Sequence, residues 1–246
     1  MLDKPENTLN RRSFLNRTAS VLAGSALGAT AASYGRIVGA NDRVSLGHIG
    51  IGSRGGQLDW IVSRLRAKHN VEMTAVCDLW KVNREKAVLA NKTYYGRPPR
   101  QFQYLEDLLL LKDVDAVLIS TPEHSHSPIL KLVAEAGKDA YVEKPMGNVL
   151  EEVKAARDAV LQKQRVVQVG TQHRSEPYPQ AACELIQTGA LGEVSKVEIV
   201  WNYHGPRWRG RPEVKQLRAE DTDWRKWLMT KPPRPFDPQL YFEFRL

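Results

Sequence analysis

A lysine between a glutamate and a proline is the side chain in this sequence best suited to proton chemistry. Glu143-Lys144-Pro145 follows the short apolar stretch 140–142, which predicts that Lys144 stands just beyond the end of a strand. A lysine removed from water has its pKa lowered toward neutrality, so it can hold or transfer a proton at a hydroxyl group. The alternative is a surface ion pair between Lys144 and Glu143. We predict that Lys144 handles a proton or orients a hydroxyl, with Pro145 fixing the backbone beside it.

The stretch 44–56 predicts a site for phosphate groups. An apolar strand pattern precedes three glycines, and apolar residues at helical spacing follow them. Gly50, Gly52 and Gly55 fit G-x-G-x-x-G. In this pattern the first glycine makes a tight turn, the second lets the backbone approach a pyrophosphate, and the third lets helix and strand pack closely. The helix N-terminus then offers free N–H groups to the phosphates. The predicted dinucleotide-binding loop consists of Gly50, Ile51, Gly52, Ser53, Arg54 and Gly55.

An acid at the end of the second predicted strand bears on the choice of nucleotide. Asp78 follows the apolar stretch 71–77 about 25 residues beyond Gly52, close to where an acid in such folds binds the ribose hydroxyls. Neither Leu79 nor Trp80 is basic, whereas a 2′-phosphate would favour an arginine there. We therefore predict NAD as the cofactor, with NADP less favoured. Asp78 is also a candidate N-cap for a helix over 81–92, and the two roles are compatible.

The loop after the third predicted buried strand supplies further candidates. Thr121, Pro122 and His126 follow the stretch 115–120, and ligands of parallel sheets bind at the carboxyl ends of strands. We expect these three residues at the cofactor, together with Glu143 and Lys144 from the loop described above. His124 and His126 make an H-x-H spacing, but no third ligand is evident, so no metal site is predicted.

The loop after the stretch 165–170 carries Gln172, His173 and Arg174. We expect Gln172 at the cofactor and His173 and Arg174 toward the substrate, with His173 as a second catalytic candidate beside Lys144. An ion pair with an acid is the alternative for Arg174. Four tryptophans are candidates for stacking on a sugar ring, although core packing is the more frequent role of such residues. They are Trp201, Trp208, Trp224 and Trp227.

Strand and helix patterns alternate from the glycine loop to Gly189, which predicts a Rossmann-type, doubly wound α/β fold with a mostly parallel sheet. Ser127 is expected to cap the helix that follows the Thr-Pro loop, with Pro128 in its first turn. Asn148 and Glu151 resemble a capping box at the start of the next helix.

Beyond Gly189 the pattern predicts the start of a second, open-sheet α/β domain. Residues 194–203 alternate as a longer strand, and 224–228 form a short helix. About fifty residues are too few for a substantial sheet domain, so we expect a piece of a longer protein. A small lobe completed by a homo-oligomer is the alternative. We assign 41–170 to the nucleotide-binding domain and 171–246 to the incomplete beginning of a substrate or oligomerisation domain.

The composition is that of an ordinary globular protein with a positive charge. Of its 246 residues, 42% are hydrophobic and 26% charged, and the net charge is +8. No nucleic-acid recognition motif accompanies this charge, so we expect no nucleic-acid partner and interpret it as attraction for anionic ligands. Cys77 and Cys183 form no ligand cluster. We expect Cys77 to be a small buried residue, and a disulfide between the two stays open.

Residues 1–40 resemble an export signal. Asn10-Arg11-Arg12-Ser13-Phe14-Leu15 is a twin-arginine pattern, and the Ala/Gly-rich run 19–32 is too short and too weakly apolar to span a membrane. We expect export by the Tat pathway to the periplasm or another extracytoplasmic space, with no other membrane association. An uncleaved anchor or a disordered N-terminus is the alternative.

Taken together, these motifs resemble the Gfo/Idh/MocA oxidoreductase family. The resemblance runs from about Asp42 to the end, and its most specific part is the Glu-Lys-Pro motif at this place in the strand order. The motifs that carry it are the glycine loop 50–55, Cys77-Asp78, the segment 121–126, Glu143-Lys144-Pro145 and the segment 170–174.

The resemblance implies an N-terminal Rossmann domain and a C-terminal α/β domain whose open sheet contacts substrate and often forms an oligomer interface. It implies hydride transfer between NAD and a small sugar, polyol or related hydroxyl compound, in a protein that is a homo-oligomer when complete. One alternative is a glycoside hydrolase of the same fold that oxidises its sugar transiently, and another is an inactive nucleotide-binding protein. The acid/histidine motif of the family's second domain is not found before Leu246.

Overall fold

The computed structural model describes residues 43–200 and 209–244, and its centre is a six-stranded sheet. The strand order β3-β2-β1-β4-β5-β6, with every neighbouring pair parallel, is that of a doubly wound Rossmann fold. The predicted α/β fold is therefore confirmed. The strands are β1 (Val44–Ile49), β2 (Val71–Cys77), β3 (Arg100–Phe102), β4 (Ala116–Ile119), β5 (Asp139–Glu143) and β6 (Val167–Gly170).

A helix follows each strand, as parallel pairing requires a crossover between neighbours. The helices of this series are α1 (Ser53–His69), α2 (Lys81–Tyr95), α3 (Leu105–Leu109), α4 (His126–Glu135), α5 (Leu150–Gln162) and α6 (Pro177–Gln187). A 3₁₀ turn, Glu123–Ser125, precedes α4. Further along lie the 3₁₀ turns Pro212–Lys215 and Ala219–Asp221 and the short helices α7 (Trp224–Leu228) and α8 (Pro238–Phe242). The predicted helices over 177–187 and 224–228 are confirmed.

The core lies against the central strands, which are apolar on both faces because helices cover both. Val117 and Ile119 of β4 and Val142 of β5 are completely buried, and Val133 of α4 packs in the same cluster. This packing gives the loops at the carboxyl ends of the strands a rigid base.

The predicted start of α4 is wrong by two residues. The helix begins at His126 rather than beyond a cap at Ser127, and its N-cap Ser125 makes no capping hydrogen bond. The Ser127 hydroxyl instead donates to the carbonyl of Met146 at 2.8 Å. Ser127, which local capping rules assign to the helix end, therefore makes a tertiary contact instead of a capping hydrogen bond.

The predicted capping box at α5 does not form. Val149 is extended and serves as N-cap without a side-chain bond, and the helix begins at Leu150. Asn148 therefore lies one residue too early and Glu151 falls in the wrong place for the reciprocal pair. The three-residue strand β3 was not predicted either, because so short a stretch carries no measurable alternation.

The predicted strand 194–203 is wrong in its described part. Residues 194–200 form no strand and are exposed, with Ile199 at 89%. An alternating stretch becomes a strand only when a neighbour supplies backbone hydrogen bonds and covers its apolar face. No strand from residues 43–200 or 209–244 pairs with this stretch. Residues 201–203 lie outside the described residues.

The C-terminal segment (residues 209–244) packs on the turn between β2 and α2. Trp80 is 1% exposed and shares an apolar cluster with Leu217, Trp227 and Tyr241. The Phe242 ring meets the Trp80 ring edge-on, with centroids 5.2 Å apart. This segment therefore borders the strand end at which a nucleotide would lie.

Two of the four tryptophans have the core role. Trp224 and Trp227 stack on each other, with centroids 4.7 Å apart, within the same cluster. Trp201 and Trp208 lie outside the described residues, and the domain boundary at residue 170 stays a prediction. In the described ranges, every helix is too short or too polar to traverse a bilayer.

Candidate cofactor and active site

The three glycines of the first loop differ in how much space surrounds each of them, as expected for a loop that binds a dinucleotide. Gly50 has φ +84°, and a Cβ there would lie 2.7 Å from the backbone nitrogen of Thr121. A Cβ on Gly55 would lie 2.6 Å from the Gly50 carbonyl oxygen, so only glycine permits this packing. A Cβ on Gly52 would meet nothing within 4 Å, which leaves the loop open on that side. Since α1 begins at Ser53 without a side-chain cap, its first N–H groups are available to an anion.

A buried polar network contacts the backbone of this loop, and the sequence analysis did not predict it. The His48 ring is fully buried, with Nδ1 2.6 Å from a carboxylate oxygen of Asp59 and Nε2 2.7 Å from the Ser120 hydroxyl. Ser120 donates in turn to the Gly50 carbonyl at 2.6 Å. Asn91 donates to the other Asp59 oxygen at 2.8 Å. The available signal was His48 itself, a polar residue inside an apolar strand.

Asp78 holds the glycine loop to the end of β2. Its carboxylate accepts the backbone N–H of Ile51 at 2.7 Å, the N–H of Trp80 at 2.9 Å and the side-chain amide of Asn83 at 3.2 Å. Burial raises the pKa of the Asp78 carboxyl, and these hydrogen bonds oppose the shift. The N-cap of α2 is Trp80, so the predicted capping role of Asp78 is wrong. Asp78 nevertheless lines the cleft described below, where it can reach a ribose.

Arg84, a basic residue in the first turn of α2, also contacts this turn, and the sequence analysis did not consider it. Its guanidinium donates to the carbonyl oxygens of Asp78 and Leu79 at 2.6 and 3.0 Å. The signal was its place one turn into α2. These hydrogen bonds stabilise the turn between β2 and α2.

Arg54 and Glu143 join the glycine loop to the Glu-Lys-Pro loop. Arg54 Nε lies 2.7 Å from Glu143 Oε1, and the Glu143 side chain is 6% exposed. Tyr141 lies beneath the pair, its hydroxyl 3.5 Å from the same oxygen, and burial followed by the Glu143 charge raises its pKa. Glu143 therefore forms its ion pair with Arg54 and not, as in the alternative, with Lys144.

Lys144 is exposed, and its ammonium makes no ion pair within the described ranges. Its backbone N–H points at Glu143 Oε2 at 3.3 Å. The burial expected for this ammonium from the sequence is therefore not found in this structure. The side chain stands at the cleft, free to meet a hydroxyl group.

His126 lies at the cleft wall but is 1% exposed and fully engaged. Its Nε2 is 2.7 Å from the Thr121 carbonyl oxygen and its Nδ1 2.6 Å from that of Pro145. Thr121 and Pro122 line the same cleft. The structure thus brings the Thr-Pro loop and the Glu-Lys-Pro loop together, with His126 between them.

The loop after β6 contributes two of its three predicted residues to the cleft. Gln172 and His173 line it, and Arg174 does not. His173, at φ +66°, lies 2.8 Å from a carboxylate oxygen of Glu176 and 3.0 Å from the hydroxyl of Tyr178. Arg174 is exposed, and within the described ranges it forms no ion pair with an acid.

These residues line one open cleft of about 1820 Å³ along the carboxyl ends of the strands. Side chains of the C-terminal segment, Arg225 and Tyr241 among them, form part of its wall. Its size suits a dinucleotide with room for a second ligand. No group of three or more His, Cys, Asp and Glu side chains suited to a metal occurs in residues 43–200 and 209–244.

Both cysteines are free. Cys77 is buried at the end of β2, as expected, and burial raises the pKa of its thiol. Cys183 is exposed on α6. The disulfide left open by the sequence does not form.

Residues 45–171, just over half of the chain, match the family model described as an oxidoreductase family with an NAD-binding Rossmann fold. A curated relative, the glycosyl hydrolase family 109 protein 2 of Shewanella sp. strain ANA-3, is 29% identical over 235 residues. The match covers 88% of this chain and 50% of that protein, so the chain spans about half the length of the curated relatives it matches.

Solved structures with the same fold include dehydrogenases. A putative myo-inositol dehydrogenase from Sinorhizobium meliloti is 28% identical with a TM-score of 0.51, covering 61% of this chain and 43% of that one. The WlbA dehydrogenase from Bordetella pertussis, in complex with NADH and UDP-GlcNAcA, is 25% identical with a TM-score of 0.52 over the same shares. With the glycine loop, the acid after β2 and the Glu-Lys-Pro loop in place, this chain belongs to the Gfo/Idh/MocA oxidoreductase family and carries its NAD-binding Rossmann fold.

Proposed function

We propose that this chain is the cofactor-binding part of an enzyme that moves a hydride between NAD and a CH–OH carbon of a sugar, polyol or related compound. The observation that carries the proposal is the Arg54–Glu143 ion pair. It ties the phosphate-binding loop to the loop of Lys144, so cofactor and proton-handling group share one cleft.

The residues of the cleft fit NAD. The open side of Gly52 and the free N–H groups of α1 suit the pyrophosphate, and Asp78 suits the adenosine ribose. Thr121 and Pro122, at the end of β4, suit the nicotinamide half. The bound cofactor supplies the hydride acceptor, and the protein supplies binding and orientation.

Lys144 would act on the substrate hydroxyl. As an ammonium it donates a hydrogen bond to the hydroxyl oxygen and orients the carbon, and as an amine it takes the hydroxyl proton when the C–H bond is broken. His173 is the second candidate for proton transfer, since its ring lies at the same cleft. Arg174 remains a candidate substrate contact only if the loop after β6 turns inward.

A glycoside hydrolase is the second candidate function, favoured by the curated relatives named as glycosyl hydrolase family 109 proteins. Such an enzyme would oxidise the sugar, eliminate the aglycone, add water in its place and reduce the sugar again, with no net change in the cofactor. The same cleft and the same Lys144 serve both reactions.

The cellular setting is part of the proposal. Residues 1–40 act as a Tat signal, and the Tat pathway carries folded proteins, which suits an enzyme that takes up its nucleotide before export to the periplasm. The substrate is a small molecule, selected largely by residues of a second domain that begins near residue 171. The complete protein is a homo-oligomer, without nucleic acid as a partner.

One experiment separates the two functions. The protein is incubated with NAD⁺ and a panel of free sugars and polyols, and separately with a panel of p-nitrophenyl glycosides. Net NADH formation supports the dehydrogenase, whereas nitrophenol release without net NADH supports the hydrolase. Binding of NAD⁺ without either product, in a protein that includes the second domain, would contradict the proposal.

A further inference from the structure

His126 sits where the two loops of the cleft approach each other. It is the first residue of α4 and is 1% exposed. One ring nitrogen is 2.6 Å from the carbonyl oxygen of Pro145, directly after Lys144 in the chain. The other is 2.7 Å from the carbonyl oxygen of Thr121, at the end of β4. A single buried ring thus bridges the backbones of both loops.

The two partners dictate how many protons the ring carries. A carbonyl oxygen only accepts hydrogen bonds, and a neutral imidazole has one N–H to donate. A neutral His126 would therefore aim a nitrogen lone pair at one of the two oxygens. Both contacts are made only when both nitrogens carry a proton, and the hydrogen bonds of such a charged ring are stronger than neutral ones.

The neighbouring histidine faces another part of the structure. Burial lowers the pKa of His124. The Nε2 of His124 donates to the Trp227 carbonyl oxygen, 2.8 Å away, so this ring is turned toward α7 and not toward the loops that His126 joins.

The next residue of α4 makes a second contact with the same loop. Ser127 is fully buried and donates to the carbonyl of Met146 at 2.8 Å. A Cβ on Gly147 would lie 2.0 Å from the Ser127 hydroxyl and 2.7 Å from Val153, so a glycine is needed for this close approach. Successive residues of α4 therefore hold successive carbonyls of the segment after Lys144.

We propose that His126 is a buried imidazolium whose two N–H groups clasp the Thr121 and Pro145 carbonyls and so position Lys144 against the nicotinamide-side loop. His126 is a positioning residue in this account, not a ligand of the cofactor. The positioning of Lys144 for catalysis rests on the proposed function, whereas the protonation of the ring does not.

The protonation is tested on the full chain without any substrate. Histidine is labelled with ¹⁵N in the ring, and spectra of the folded protein at neutral pH distinguish protonated from bare ring nitrogens. His126→Gln identifies its signals by their loss, and His69→Gln serves as the matched control on a remote helix end. We expect both ring nitrogens of His126 to be protonated. One protonated and one bare nitrogen would overturn the proposal.

The positioning is tested with two further variants. His126→Leu removes both donors and should speed hydrogen exchange at Ser125 and Val153, whose N–H groups donate to the Pro122 and Val149 carbonyls beside the two loops. Glu135→Gln at the exposed end of α4 should not. In the active protein, His126→Leu should lower kcat on the order of 10²-fold with little change in KM, since misplacing a catalytic group costs about that much.

The outcomes remain separable. Unchanged exchange at these amides in a folded His126→Leu protein would overturn the clasp, whatever the activity. If His126→Leu does not fold, the ring protonation measured in the wild-type protein decides whether the proposal holds. Failure to find any turnover would count against the proposed function and leaves both spectroscopic tests of the clasp intact.

Discussion

Replacing the first and second glycines of the loop by alanine should separate folding from cofactor binding. At Gly50, alanine must adopt a positive φ, which costs about 1–2 kcal/mol, and its Cβ meets the Thr121 backbone at 2.7–2.8 Å. Relieving that overlap by a backbone shift costs about 1–3 kcal/mol more. We expect Gly50→Ala to lose about 2–5 kcal/mol of the free energy of unfolding.

Gly52→Ala should behave in the opposite way. Its backbone is extended, at φ −75° and ψ −157°, and nothing lies within 4 Å of the new Cβ. Stability should change by less than about 1 kcal/mol, because the stiffer unfolded chain favours alanine whereas the N-cap position of α1 favours glycine. The methyl group occupies the space left for the pyrophosphate, so the affinity for NAD⁺ should fall at least about tenfold, or 1.4 kcal/mol.

Urea unfolding gives the stabilities, and calorimetric titration with NAD⁺ gives the affinities of both variants and the wild type. Each variant is the control for the other, since both add one methyl group to the same loop. A Gly52→Ala protein that binds NAD⁺ as the wild type does would refute the assignment of the open side of the loop to the pyrophosphate. A Gly50→Ala protein of unchanged stability would refute the packing argument.

Two further predictions concern groups away from the loop. With a thiol reagent under native conditions, Cys183 should react rapidly and Cys77 only on unfolding, because burial keeps the Cys77 thiol protonated; rapid labelling that persists in Cys183→Ser would contradict this. Burial lowers the pKa of His124 below its ordinary 6.5, so the folded state binds the proton less readily than the unfolded state. Its contribution to stability is complete above pH 6.5 and is lost as the pH falls through the folded pKa. Urea midpoints between about pH 7.5 and 5 should therefore fall less steeply in His124→Asn than in the wild type, and parallel slopes would exclude His124 as the cause.

The parallel sheet and its loops were predictable because each signal is local. Strand and helix periods alternate along the chain, and the glycine pattern and Glu143-Lys144-Pro145 fall where strands end. Parallel strands bring those ends to one edge, so the residues of the cleft follow from topology alone. The ends of helices were less predictable, since the Ser127 hydroxyl bonds to the loop between β5 and α5, and the N-cap of α5 is Val149 rather than Asn148.

The contacts within the site depend on packing between distant segments. Nothing in the spacing of Arg54 and Glu143 says that they pair, nor that Asp78 binds the N–H of Ile51. The strand expected over 194–203 failed for a related reason. Alternation of apolar and polar residues indicates that one face of a segment can be buried, but it does not show whether a partner strand is present. Lys144 was expected to be buried and is exposed, since solvent access at a cleft depends on what covers it.

The most direct test of the proposed active site is the turnover of Lys144→Ala, measured beside its NAD⁺ affinity with the substrate that the sugar and glycoside panels identify. The substitution removes an exposed ammonium that makes no ion pair in the described part of the chain, so folding and NAD⁺ binding should stay close to wild type. The account predicts that turnover is lost while the dissociation constant for NAD⁺ is nearly unchanged. Equal turnover of Lys144→Ala and wild type would contradict it.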